Sequence, residues 1–172
     1  MNRKFVLPDV LPKGLALVFC GTAPGTASAK AGAYYAHPQN KFWRILFEAK
    51  MTPRLLKPEE YGLLPGFGIG LTDIAKHAFG MDKQLPPAAL GRAAAEDLKA
   101  RILKAAPERL AFTSLTGGRR VMGPGASFGR QKQRIGETEV WILHSPSPTA
   151  NWNWDPAHWR ALGRALAKDR KA

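Results

Sequence analysis

Short apolar runs alternate with longer segments of helical periodicity along this chain. The runs have the length and composition of buried strands, and they cover residues 15–21, 69–72, 109–115 and 138–145. Apolar residues recur at helical spacing in residues 40–49, 87–107 and 155–171. Strands separated by helices predict a three-layer α/β/α sandwich around a central, largely parallel four-stranded sheet. Residues 117–136 are basic and rich in glycine, and we interpret them as a connection with room for one helical turn.

One domain accounts for the whole chain. A length of 172 residues suits a single core, and the sequence contains neither internal repeats nor a linker long enough to divide it. We therefore expect residues 1–172 to form a single domain. Ligands of such sheets bind beyond the carboxyl ends of the strands, so the loops after the first and fourth runs are the first places to look for a site.

Charge is the strongest global signal. Lysine and arginine number 26 against 13 aspartate and glutamate residues, a formal net charge of +13. This surplus favours nucleic acid as partner, because Lys and Arg displace the counterions of phosphates; an anionic membrane surface or an acidic protein also fits. No apolar stretch approaches the ~20 residues of a membrane span. Cys20 is the only cysteine, which favours a reducing, cytoplasmic compartment.

The loop after the first strand reads GTAPG (21–25). Gly21 and Gly25 allow a sharp turn and a close approach of the backbone to a ligand, while Pro24 fixes φ. Exposed N–H groups of such a turn can hold an anion or a carbonyl oxygen. A plain strand-to-helix turn explains the same residues, and the G-K-[ST] ending of a phosphate-binding P-loop is missing.

The loop after the fourth strand reads SPSPTAN (145–151). Its prolines stiffen the backbone, and its hydroxyl and amide side chains suit contacts to a phosphodiester backbone. Trp152 and Trp154 follow at once, and a tryptophan at this place can wedge into a base stack. The alternative is that both tryptophans pack under the last helix.

A third element, YYAHPQNKFW (34–43), leads into the first predicted helix. An aromatic face of Tyr34 or Tyr35 can stack on a nucleobase, and His37 can act as a base or a hydrogen-bond donor near neutral pH. Asn40 can cap the helix. A His-Pro pair before a helix is also explained by structure alone.

Four segments resemble the uracil-DNA glycosylase superfamily in their order and spacing. They are VFCGTAPGTASA, YYAHPQNKFW, GIGLTDIA and IGETEVWILHSPSPTAN. The similarity covers about residues 12–165 and is greatest to the mismatch-specific uracil/thymine-DNA glycosylases, with some features of hypoxanthine-DNA glycosylases. It implies a DNA-repair enzyme that flips a damaged base out and hydrolyses its N-glycosidic bond without metal or other cofactor. We expect a monomer acting on uracil-containing DNA, single- or double-stranded.

The resemblance also implies site residues. Tyr35 matches the aromatic residue that stacks on the flipped base, Thr72 lies in a segment that helps line the base pocket of relatives, and Ser145 begins the second loop. The first loop predicts further base contacts from Gly21, Thr22, Ala23, Pro24 and Gly25. The second loop inserts at the minor groove, which predicts DNA contacts from His144, Pro146, Ser147, Pro148, Thr149, Ala150, Asn151 and Trp152. The sequence leaves open whether His144 or Ser145 faces the pocket.

Ala23 departs from the superfamily pattern. Most relatives place aspartate or asparagine there to position the attacking water, and alanine has no side-chain acceptor. We therefore expect the catalytic role to fall to His37 first, to Asn40 second and to Asp73 third. Uracil is the default base, while hypoxanthine, xanthine and thymine opposite guanine stay open.

Two other functions stay open. Because of Ala23, a non-catalytic protein of the same fold that binds damaged DNA or other nucleic acid is the first alternative. An unrelated α/β enzyme acting on a phosphorylated metabolite is the second. The glycosylase interpretation requires residues 21–25 and 145–151 to lie side by side at one rim of the sheet.

Overall fold

The computed structural model describes residues 4–172. Its strands are β1 (Leu17–Gly21), β2 (Ile69–Asp73), β3 (Arg109–Phe112), β4 (Gly129–Arg130) and β5 (Glu139–Ile142). Its α-helices are α1 (Thr26–Ala31), α2 (Phe42–Glu48), α3 (Arg92–Ala105), α4 (Leu115–Met122) and α5 (Ala157–Arg170). Short 3-10 helices cover Pro58–Phe67, Asp82–Gln84, Pro87–Leu90 and Pro148–Asn153. Among residues 4–172, no helix has both the length and the apolar character needed to cross a bilayer.

The strands form one sheet in the order β2-β1-β3-β5-β4. The first four strands of this order run parallel, and Cys20 of β1 lies between Thr72 of β2 and Phe112 of β3. The predicted parallel four-stranded sheet is therefore confirmed. The two-residue strand β4 is an addition that pairs antiparallel with β5 at the edge.

Helices cover both faces of this sheet. Leu17 and Phe19 of β1 point to the layer that contains α2 and α5, whereas Val18 and Cys20 point to the layer that contains α3 and α4. Alternation of this kind follows from the two-residue period of a strand, and it buries both faces as parallel sheets require. The three-layer α/β/α prediction is confirmed.

Helix α4 corrects the interpretation of residues 117–136 as a connection with one helical turn. Its start is capped by Ser114, whose hydroxyl accepts a hydrogen bond from the N–H of Gly117 at 3.0 Å. A Cβ atom added at Gly118 would lie 2.4 Å from Cδ1 of Ile142. The glycines thus weaken the helical signal in the sequence, yet they allow α4 to approach β5 closely.

Candidate active site

A cavity of about 590 Å³ opens at the carboxyl ends of the parallel strands. The first loop (residues 21–25) and the second loop (residues 145–151) both contribute to its wall, the second through residues 145–149. The first lining residue at or after the end of each parallel strand is Gly21, Asp73, Thr113 or Ser145. The structure therefore brings together two loops that lie near opposite ends of the sequence.

Asp73 lies at the floor of this cavity as a buried carboxyl group. The residue is 3% exposed, and its Oδ2 atom has no hydrogen-bond partner among residues 4–172. Desolvation raises the pKa of Asp73 to about 7, Lys76 and Arg101 oppose that rise, and Asp9 adds to it. A Cβ atom at Gly21 would lie 2.6 Å from Asp73 Oδ1, so only glycine allows β1 to pass this carboxyl group.

Charged side chains pack beside this carboxyl group. Asp9 accepts from Lys76 at 2.7 Å and from Arg101 at 3.2 Å, and the Thr72 hydroxyl donates to Asp9 Oδ1 at 2.6 Å. Thr72 is fully buried in this network and does not line the cavity. The base contact predicted for Thr72 is thus corrected, because its side chain is engaged elsewhere.

Tyr35 forms an aromatic wall of the cavity. Its ring stacks on Phe42 with 3.9 Å between centroids and 15° between planes, and its hydroxyl lies 3.0 Å from Thr113 Oγ1. Desolvation, and then the Asp73 charge, raise the pKa of Tyr35, so the ring stays neutral. Its φ of 51° is in the left-handed region, a strain on the order of 1 kcal/mol or more that concentrates at functional sites.

His37 and Asn40 also line the cavity. His37 is exposed, and its Nδ1 accepts from the Gln39 N–H at 3.1 Å. Asn40 Oδ1 accepts from the Phe42 N–H at 2.9 Å directly before α2, but the N-cap residue of the helix is Lys41 and not Asn40 as predicted. The side-chain amide nitrogen of Asn40 is left as a donor. All three residues expected to replace the missing acceptor of Ala23 therefore reach one cavity.

The second loop is attached to the start of α2. The Lys41 N–H donates to the Pro146 carbonyl at 3.0 Å, and the Lys41 ammonium group donates to Asn151 Oδ1. Within the loop, the N–H of Thr149 donates to Ser147 Oγ at 3.3 Å and starts a 3-10 helix. Residues 146–149 line the cavity, and residues 150–152 continue beyond its wall.

The two tryptophans after this loop have different environments. Trp152 is 86% exposed. Trp154 packs against the core, with its ring 6.1 Å from that of Trp159 in α5. The expectation that a tryptophan is available to enter a base stack thus applies to Trp152, and the alternative of packing under the last helix applies to Trp154.

Ser145, and not His144, faces the cavity. The His144 ring is buried and stacks on Phe128 with 3.6 Å between centroids and 8° between planes. Desolvation lowers the pKa of His144 and favours the neutral ring. The DNA contact predicted for His144 is corrected, because its ring is buried and packs against Phe128 next to β4.

Sequence reasoning missed several lining residues. They are Leu7, Thr26, Ala27, Ser28, Thr113, Ser114 and residues 80–83. Thr113 and Ser114 follow the third strand, so the rule of carboxyl ends would have included them. Residues 80–83 follow β2 and carry no turn or helix pattern that marks them. Within residues 4–172, no three His, Cys, Asp or Glu side chains converge as a metal site requires.

Comparison with known proteins identifies the class. Residues 8–167 match the model of the Uracil DNA glycosylase superfamily, and the chain belongs to this superfamily of DNA glycosylases. The solution NMR structure of a candidate uracil DNA glycosylase from Methanosarcina acetivorans is similar over 97% of this chain and 99% of that chain, with a TM-score of 0.58. The two sequences are 21% identical, a level at which the likeness shows the shared fold.

Proposed function

We propose that this protein is a monofunctional glycosylase of base-excision repair, which flips uracil or a related deaminated base out of DNA and hydrolyses its N-glycosidic bond. The main support for this proposal is the cavity, where two loops, an aromatic ring and a buried carboxyl group meet. The chain that forms it belongs to the Uracil DNA glycosylase superfamily. The net charge of +13 supports a DNA substrate. In this proposal residues 1–172 form one catalytic domain that acts in the cytoplasm as a monomer without cofactor.

Tyr35 is the proposed platform for the flipped base. Phe42 supports one face of its ring, so a base on the other face would extend the stack to three rings. The Phe42 contact and the Thr113 hydrogen bond hold the ring in place before the base arrives, which reduces the ordering cost of binding. Unstacking a base costs on the order of a few kcal/mol, and a pre-ordered platform offsets part of that cost.

Tyr35→Ala tests the platform. The variant should fold and should still bind DNA, because its loops and charge are intact, but it should lose excision. Far-UV circular dichroism and a single-turnover excision assay measure the two properties separately. If Tyr35→Ala excised the base at the wild-type rate, the proposal that Tyr35 stacks on the flipped base would be rejected.

Asp73 is the proposed replacement for the acceptor that Ala23 lacks. Its carboxyl group lies at the cavity floor, and its pKa of about 7 lets it change charge near neutral pH. The ionised form would stabilise positive charge on the sugar as the glycosidic bond breaks and would orient the attacking water. The sequence analysis ranks His37 first for this catalytic role. We propose Asp73 instead, because its carboxyl group is buried and one of its oxygens has no hydrogen-bond partner among residues 4–172.

His37 and Asn40 have donor roles in this proposal. Because His37 Nδ1 accepts from a backbone N–H, the neutral ring carries its proton on Nε2. That proton suits a carbonyl oxygen of the leaving base better than it suits removal of a proton from water. The Asn40 amide nitrogen is a second donor, and one such donor to a developing anion is typically worth ~10²–10³ in rate.

Single-turnover excision as a function of pH tests these assignments. The wild-type rate on a uracil-containing oligonucleotide should rise through about pH 7 as Asp73 ionises. Asp73→Asn should be slower and should lose this dependence, whereas His37→Ala and Asn40→Ala should be slower but keep it. A pH dependence that survives in Asp73→Asn and disappears in His37→Ala would transfer the titrating role to His37.

The identity of the base is tested by an excision panel. Uracil, hypoxanthine, xanthine and thymine opposite guanine are compared in single- and double-stranded DNA, with cytosine as the control base. We expect excision of uracil and little attack on cytosine, because a pocket whose polar groups pair with the uracil edge leaves them unpaired against cytosine. Equal excision of cytosine would contradict this selection.

A non-catalytic damage-binding protein is the second candidate, and Ala23 is the observation that favours it. Alkali treatment of the oligonucleotide after incubation separates the two. Strand breakage at the uracil means excision, and retention without breakage means binding alone. An unrelated enzyme acting on a phosphorylated metabolite has no support, since the chain belongs to the glycosylase superfamily.

A further inference from the structure

Residues 79–83, which we name the β2 lip, lie at the cavity, and the proposed function assigns them no role. Gly80, Met81, Asp82 and Lys83 line the cavity. Phe79 is 55% exposed and Met81 is 40% exposed, so two large apolar side chains face solvent beside the site. Clustered apolar exposure of this kind marks binding surfaces more often than single exposed residues do.

The β2 lip is fixed to the first loop. The Gly80 N–H donates to the Pro24 carbonyl at 2.9 Å, and the Thr22 hydroxyl donates to Asp82 Oδ1 at 2.5 Å. Gly80 has a φ of 119°, a conformation that favours glycine. These bonds hold the exposed side chains of the lip at a fixed place on the rim.

The β2 lip and the second loop lie on opposite sides of the cavity. The lip follows β2 and the second loop follows β5, and strands β1 and β3 lie between them. Three interstrand steps of roughly 4.8 Å separate the carboxyl ends of β2 and β5 by about 14 Å. The exposed Trp152 directly follows the second loop, and Lys41 binds Asn151 of that loop. The lip likewise has exposed apolar side chains next to a lysine.

We propose that the β2 lip is a second DNA-binding surface, in which Lys83 contacts a phosphate beside the flipped nucleotide while Phe79 and Met81 pack against the adjacent sugar or base. This inference rests on the proposed function. Lys83 makes no ion pair with any residue from 4 to 172, so its charge is available to a phosphate. Asp82 Oδ1 accepts a hydrogen bond from the Thr22 hydroxyl, which holds this carboxylate against the first loop.

Binding measurements on exposed-site variants test the lip. Fluorescence anisotropy with a uracil-containing duplex gives the affinity across a salt series. Lys83→Ala should weaken binding several-fold and lower the slope of log K against log salt by about 0.9, the value of one phosphate contact. Lys83→Glu should weaken binding more, and Phe79→Ala/Met81→Ala should weaken it roughly tenfold. The matched control Leu103→Ala/Lys104→Ala on α3 should bind as wild type does.

Asp82→Ala separates DNA binding from support of the first loop. If the lip only supported that loop, Asp82→Ala would slow excision while the Lys83 and Phe79/Met81 variants bound normally, and the inference would be overturned. If the wild type excises uracil and the lip variants bind DNA with unchanged affinity, the inference about the lip is also overturned, but the proposed function is retained. If the wild type binds DNA without excising uracil and the lip variants lose affinity, the lip is a DNA-binding surface and the proposed glycosylase activity is rejected.

Discussion

Replacing Asp73 by Asn isolates the cost of burying an ionisable carboxyl group at the cavity floor. The native pKa of about 7 lies above the ordinary value of 3.8. Between these values the folded chain keeps a proton that the unfolded chain has released, so this group makes the free energy of unfolding fall as pH rises. With ~1.36 kcal/mol for each pH unit, the loss is about 4 kcal/mol and is complete above about pH 7.

Urea unfolding of wild type and Asp73→Asn from roughly pH 4 to pH 8 measures this cost. The free energy of unfolding of the variant minus that of wild type should rise by about 4 kcal/mol up to about pH 7 and then stay constant. Other titrating groups cancel in the difference. A fixed effect of the amide on packing displaces the whole difference curve and leaves its slope unchanged.

Two results would refute this reasoning. A difference that does not depend on pH would mean that Asp73 has the same pKa in the folded and unfolded chains. A difference that falls with pH would mean that Lys76 and Arg101, which both favour the charged form, outweigh desolvation and hold the pKa below its ordinary value.

Three further predictions concern packing, the wedge and charge. Gly118→Ala should lower the free energy of unfolding by about 1–3 kcal/mol through its contact with Ile142, whereas Gly125→Ala enters open space and should change little; equal losses in thermal unfolding would contradict the close approach of α4. Trp152→Ala should keep the wild-type Tm and weaken duplex binding, and Trp154→Ala should lower the Tm; the reverse pattern would exchange their roles. Affinity for any DNA should fall steeply with salt, and a salt-independent Kd would argue against the phosphate contacts.

The parallel sheet was predictable because its strands are short apolar runs that end at turns, a signal that survives without tertiary information. Helix α4 was not predictable, because Gly117 and Gly118 lower its propensity and are explained only by the nearby strand. Strand β4 has two residues, too few for any pattern. Secondary-structure elements that depend on contacts with residues distant in the sequence cannot be predicted from a single sequence.

The same division applies to the site. The placement of the two loops follows from the rule that parallel strands end at one edge, and His37, Asn40 and Asp73 arrive there with them. Thr72 and His144 were misplaced, because successive strand residues alternate between faces and the sequence does not say which face the cavity occupies. Nothing in the residue pattern of the β2 lip records its bonds to the first loop.

Lys41 links the second loop to the start of α2, two segments that lie far apart in the sequence. Its N–H binds the Pro146 carbonyl, its ammonium group binds Asn151, and Asn40 immediately precedes it. Under the proposed function, a displacement of the second loop by duplex DNA would therefore be passed through Lys41 directly to Asn40 at the cavity. Under the same proposal, Lys41 would thus couple recognition of a lesion by the second loop to closure of the cavity around the base.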